Sequence, residues 1–186
     1  QRQMCIRDSI KEANIIFFAG GFSAADEPDG SAKFIVNILL NEKVRSAIDS
    51  FIEKGGLLIG ICNGFQALVK SGLLPYGNFA EADDTSPTLF YNDANQHVAK
   101  MVETRIANTN SPWLAGVHVG DVHAIAVSHG EGKFIVTPEE FAVLRDNGQI
   151  FSQYVDGNGQ PSMDSKYNPN GSMNAIEGIT SRNGQI

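Results

Sequence analysis

Leu57-Leu58-Ile59 runs directly into Gly60-Ile61-Cys62-Asn63-Gly64-Phe65-Gln66, and Ala67-Leu68-Val69-Lys70 follows. No other stretch limits the fold so tightly. The apolar start reads as a short strand, and the pattern from Gln66 onward reads as a helix. Gly60 and Gly64 flank the join and let the backbone turn sharply there. A strand, a tight corner and a helix, with a nucleophilic side chain at the corner, is the geometry of a nucleophile elbow. Here the corner residue is Cys62. The N–H groups at the start of a helix favour negative charge on a sulfur and on an oxyanion formed beside it. Without its glycines Cys62 would read as a buried cysteine at a strand end. The flanking glycines and the switch of period favour the nucleophile.

Upstream, Asn14 to Ala19 is a continuous apolar run, expected to be a strand buried on both faces. Gly20-Gly21-Phe22-Ser23 follows it, either as a simple tight loop or as a loop that offers backbone N–H groups to an anion. Residues 24–30, with Asp26, Glu27, Pro28 and Asp29, read as an exposed loop. Ser31 is a candidate cap for a helix through Phe34, Ile35, Ile38 and Leu39. A second helix, Glu42 to Lys54, sets Val44, Ile48, Phe51 and Ile52 on one face and ends at Gly55-Gly56. This βαβ-type order predicts an α/β fold with a mostly parallel sheet flanked by helices.

Downstream of the elbow helix, Gly72 and Pro75 interrupt regular structure. The Glu81, Asp83 and Asp84 cluster matches no ligand loop and reads as a solvated turn, so no metal site is expected. Leu89–Tyr91 and Val98–Ala107 read as strands, Ser111–Leu114 as a helical turn with Trp113 inward, and Ala124–Val127 as a buried strand. That strand ends at Ser128-His129-Gly130-Glu131-Gly132. Phe134–Val136 reads as a strand, Pro138 starts a helix through Phe141, Val143 and Leu144, and Gln149–Val155 forms a strand. Residues 157–171 are rich in Gly, Pro and Asn and read as irregular. Ala175–Thr180 is a last strand, and Ser181-Arg182-Asn183-Gly184 reads as a hairpin turn with Gln185-Ile186 opening the returning arm.

Composition removes several functions. The net charge is −7 and there is no basic run, which argues against nucleic acid and against an anionic membrane surface. No apolar stretch approaches the ~20 residues of a membrane-spanning helix. Cys5 and Cys62, the two cysteines, make no disulfide framework, so a reducing, cytoplasmic setting is expected. Residues 1–9 show neither helical nor strand period. Met4-Cys5-Ile6-Arg7-Asp8-Ser9 is similar to translated sequencing-adapter sequence. The expectation is an extraneous or disordered leader over 1–9 and a partial domain over 10–186.

A cysteine nucleophile needs a base, a group to orient the base and an oxyanion hole. His129 and Glu131, two residues apart, are the candidate base and orienter. His97, His118 and His123 stand in polar contexts and read as surface or satisfied residues.

The motifs Gly20-Gly21-Phe22-Ser23, Gly60 to Gln66, Ser128 to Gly132, Tyr154-Val155-Asp156 and Asn168-Pro169-Asn170-Gly171-Ser172, in this order, carry a family likeness. From about Ile10 to Ile186 the chain resembles the glutaminase domain of phosphoribosylformylglycinamidine synthase, a class I glutamine amidotransferase. Asp26 to Gly30 and Ser86-Pro87-Thr88-Leu89 resemble most the long, single-chain bacterial form. The resemblance implies a flavodoxin-like fold and a Cys62 thiol that attacks the side-chain amide of glutamine. It implies an oxyanion hole from the N–H groups near Gly21-Phe22 and of Asn63, with Gln66 and His129-Gly130-Glu131 around the bound glutamine. It implies no cofactor in this domain. ATP and magnesium would belong to a synthetase region, on the same chain or in the same complex, that receives the ammonia.

In the family the catalytic His and its carboxylate partner lie beyond the position of Ile186, and a first strand and helix precede the position of Asn14. On that basis His129-x-Glu131 is a decoy, and residues 1–186 alone are expected to release little or no ammonia and to be prone to aggregate. Two rival readings are an α/β hydrolase with a cysteine elbow and a non-catalytic domain whose elbow Cys senses oxidation.

Overall fold

The structure, a computed structural model, describes residues 2–21 and 32–186. Phe22, the acidic loop after it and the proposed cap Ser31 lie outside the described residues. The chain divides into two compact units, residues 1–82 with 185–186, and residues 83–184.

In the first unit the order is α1 (Arg2–Glu12), β1 (Ile15–Phe18), α2 (Lys33–Leu39), α3 (Glu42–Glu53), β2 (Leu57–Gly60), α4 (Asn63–Lys70) and a single turn, α5 (Leu73–Tyr76). β1 and β2 pair in parallel, Ile15 opposite Leu57 and Phe18 opposite Gly60. Asn41 caps α3 by accepting from the Lys43 N–H at 3.2 Å. The expected face of α3 is buried through Val44, Ala47, Ile48 and Phe51. Each deeply buried aliphatic side chain contributes about 1.5–3 kcal/mol. Leu58, fully buried on β2, and Leu68, fully buried on α4, belong to this core.

Three expectations change here. Residues 2–9 of the segment read as a patternless leader lie in α1, so a helix does stand ahead of β1. Its apolar residues, Met4, Cys5, Ile6 and Ile10, make no sustained helical stripe, and of Ile6 and Ile10 only Ile10 is buried. Its helicity comes with packing against α3 rather than from a visible period. β1 is not buried on both faces: Ile15 and Phe17 are 54% and 59% exposed. They share the face of the parallel pair that carries Leu57 and Ile59, while Leu58 and Gly60 look toward α4. The third change concerns the end of the chain. Gly184 closes the turn by donating to the Ser181 carbonyl at 2.9 Å, but Gln185 and Ile186 do not pair with the last strand. Instead the Leu58 N–H donates to the Gln185 carbonyl at 2.9 Å, and Gln185 Nε2 donates to the carbonyls of Ile52 and Gly56.

The second unit holds β3 (Thr88–Phe90), β4 (Val98–Ile106), β5 (Val122–His129), β6 (Lys133–Ile135), α6 (Pro138–Asp146), β7 (Ile150–Tyr154) and β8 (Ile176–Ile179). Its sheets are antiparallel: β3 with β6, and a four-stranded sheet in the order β5-β4-β7-β8. The α/β class holds, but parallel pairing among the described residues is confined to β1 and β2. β4 and β5 run antiparallel over eight residue pairs, so one face alone needs burial. Val102, Val127, Tyr154 and Ala175 form that core, with Ile125 packed against it. β5 is therefore not the buried strand expected over Ala124–Val127; it is an edge strand on which only Val127 is fully buried. Thr137 caps α6 by accepting from the Glu140 N–H, with Pro138 in the first turn. The turn at Pro112–Leu114 forms, and Trp113 on it is half-buried.

Candidate active site

Cys62 stands where β2 ends and α4 begins, with φ 55° and ψ −112°. Positive φ costs a non-glycine residue roughly 1–3 kcal/mol and persists only where the surroundings hold it. Those surroundings are on both sides of the corner. Ile61 N–H donates to the Phe18 carbonyl at 3.0 Å and so ties the corner to β1. Gly64 and Gln66 donate to the carbonyls of Ile61 and Cys62, both at 3.0 Å, and start the helix. The glycines are needed because the segments touch. A Cβ on Gly64 would fall 2.0 Å from the Phe18 carbonyl oxygen, and one on Gly60 would fall 2.6 Å from Leu68 Cδ1. The elbow read from the sequence is thus formed, and its thiol is free and half-buried.

Gly20 and Gly21 follow β1, and Gly20 reaches the same corner. A Cβ on Gly20 would lie 2.9 Å from the Cys62 Cβ and 3.7 Å from its Sγ. Gly21 is exposed at φ 106°, and no described atom lies within 4 Å of a Cβ placed on it. Asn63 and Gln66 sit in the first turns of α4 and are each 4% exposed. Cys62, Gly21, Asn63 and Gln66 therefore belong to one unit; Phe22 lies outside the described residues.

His129, Gly130 and Glu131 belong to the second unit, at the end of β5 and in the loop to β6. The His129 ring lies over Gly132, where a Cβ would fall 2.4 Å from it. Its Nδ1 is enclosed and has no hydrogen-bond partner among the described residues. Burial, above all, pushes the imidazole below its ordinary pKa, and nearby His97 acts in the same direction, so the neutral ring is favoured. His97, His118 and His123 are exposed, as expected. Asp83, in the acidic cluster, accepts from Thr85 and Ser86 as a solvated turn. Among the described residues no group of three or more His, Cys, Asp and Glu side chains could hold a metal ion. Nor is any helix among them long and apolar enough to cross a membrane.

A profile of the CobB/CobQ-like glutamine amidotransferase domain matches residues 2–186. The chain belongs to this glutamine amidotransferase family. Its relatives include the phosphoribosylformylglycinamidine synthase subunit PurQ of Acaryochloris marina, 34% identical over 95% of this chain and 68% of the relative. The subunit of the same name from Aquifex aeolicus is 32% identical over 96% of this chain and 70% of the relative. In fold, the amidotransferase chain is similar to a chain of the PurLQS structure from Thermotoga maritima. The TM-score is 0.68 at 22% identity, covering 99% of this chain and 77% of that one.

Several residues packed against the sequence-predicted positions have no signal in the sequence. Gly20 was visible only as half of a glycine pair, and nothing in the sequence tied it to the thiol. Asn92 sits in an ordinary polar turn without a motif, yet it is 1% exposed and bonded to the His129–Gly132 loop. Asn170 and Ser172 lie inside a motif that carried the family likeness, but their contact with that loop had no local signal.

Proposed function

We propose that this chain is the glutaminase part of a phosphoribosylformylglycinamidine synthase, with Cys62 as its nucleophile. The observation that carries the reading is the strained Cys62 backbone at the strand-to-helix corner, with Gly20 bare against the thiol. The names of the relatives support the choice of synthase.

In this reading Cys62 Sγ attacks the side-chain carbonyl carbon of glutamine. The C–N bond breaks, the nitrogen leaves as ammonia with the proton that the thiol gives up, and a glutamyl thioester remains. Water then hydrolyses the thioester, releasing glutamate and restoring the thiol. Backbone N–H groups of Gly21, Phe22 and Asn63 hold the oxyanion, and losing one such donor costs ~100- to 1,000-fold in rate. Gln66 and the segment His129-Gly130-Glu131 bind glutamine or support its pocket. The ammonia passes to a synthetase region, on the same chain or on a partner subunit. That region uses ATP and magnesium to convert formylglycinamide ribonucleotide to its amidine.

A glutamine-mimicking diazo ketone tests the reading. It takes up a proton and loses dinitrogen as a glutaminase thiol displaces it. The full-length protein should carry one adduct, on Cys62, formed more slowly when glutamine is present and absent from Cys62→Ala. A protein that ignores the diazo ketone but is acylated by simple esters would be a hydrolase of another kind.

A further inference from the structure

Resting on the reading that His129-Gly130-Glu131 meets glutamine, we infer that Asn92, Asn170 and Ser172 are positioning residues that hold this loop by its backbone in the glutamine-binding form. Each is 1% exposed. Buried polar side chains are costly unless their bonds are made, so their convergence on one short loop demands a reason.

Asn92 uses both ends of its side chain and its own backbone. Its Nδ2 donates to the His129 carbonyl at 2.8 Å, and its Oδ1 accepts from the Gly132 N–H at 3.0 Å. Its N–H donates to the Gly130 carbonyl at 3.0 Å. From the other side, Asn170 Nδ2 and Ser172 Oγ both donate to the Gly132 carbonyl at 3.1 Å. These two are anchored in turn. Asn170 Nδ2 also donates to the Tyr154 hydroxyl at 2.7 Å, and Ser172 Oγ accepts from the Phe134 N–H at 3.1 Å. Asn168 fixes Ser172 through both its N–H and its carbonyl.

The loop has two glycines and so little stiffness of its own. The clamp supplies it through the carbonyls of His129, Gly130 and Gly132 and the N–H of Gly132. None of these bonds uses a side-chain atom of His129 or Glu131, so holding the loop does not consume the groups proposed to face the ligand. Rigid placement of a binding group lowers the ordering cost when ligand arrives.

The test is saturation kinetics of Cys62 alkylation by the diazo ketone, in the full-length protein. Asn92→Asp keeps the acceptor for Gly132 and replaces with an oxygen the donor shared by the His129 and Gln96 carbonyls. Ser172→Ala removes the hydroxyl and serves where the first variant fails to fold. Each should raise the half-saturating concentration about 10-fold, the scale of one lost hydrogen bond. The maximal alkylation rate and the rate with iodoacetamide should stay within about 2-fold of the parent. Amide exchange across residues 129–132 should quicken. An unchanged half-saturating concentration beside a lowered melting temperature would make the clamp merely structural and overturn the inference. If the parent protein shows no saturable labelling, the glutaminase reading itself falls and takes the inference with it.

Discussion

Gly20 leaves the space that the Cys62 thiol occupies: a Cβ added at position 20 would stand 2.9 Å from the Cys62 Cβ and 3.3 Å from the Ile61 carbonyl oxygen. Neither neighbour is the free end of a flexible side chain, so the elbow itself must yield. Gly20→Ala should slow Cys62 alkylation by the diazo ketone about 100-fold, as displacement of a reacting atom by about 1 Å does. Labelling within about 3-fold of the parent would show that the thiol does not depend on this contact.

Gln185 contributes to the first unit through two side-chain bonds, to Ile52 at 3.0 Å and to Gly56 at 3.1 Å. Gln185→Ala leaves two carbonyls without these donors and should cost about 1–2 kcal/mol in urea unfolding. No shift in the midpoint would place residue 185 elsewhere.

Glu177 yields a prediction about pH. Burial, above all, raises its carboxyl above the ordinary 4.5, although Ser152 donates a hydrogen bond that acts the other way. A carboxyl that holds its proton more tightly when folded stabilises fully below the unfolded value, and that stability is lost as pH rises through the folded value. Glu177→Gln is uncharged throughout. It should melt higher than the parent at about pH 8, with the advantage vanishing near pH 4. An equal difference at both pH values would contradict the assignment.

The elbow was legible because its signal is local: glycines on both sides of Cys62 and a change of period across it. Family and α/β class were legible for a related reason, since motifs spaced along the chain keep their order. Burial was not. Asn14 to Ala19 and Ala124 to Val127 are apolar runs, but a run does not say which neighbour covers it. Ile15, Phe17, Ala124 and Ala126 are exposed. The turn Ser181–Gly184 carries a hairpin signal, and its turn bond does form. The next residue then joins β2, far away in sequence, and no turn signal encodes that choice. Asn92 shows the same limit for function, because three of its bonds go to residues 129–132 and a polar turn carries no trace of them.

Ammonia release from glutamine by the full-length enzyme with its synthetase, parent against Cys62→Ala, tests the central claim most directly. Loss of release to the background without enzyme, while added ammonia still supports the synthetase reaction, is the result expected. Release by Cys62→Ala within a few-fold of the parent would contradict the account.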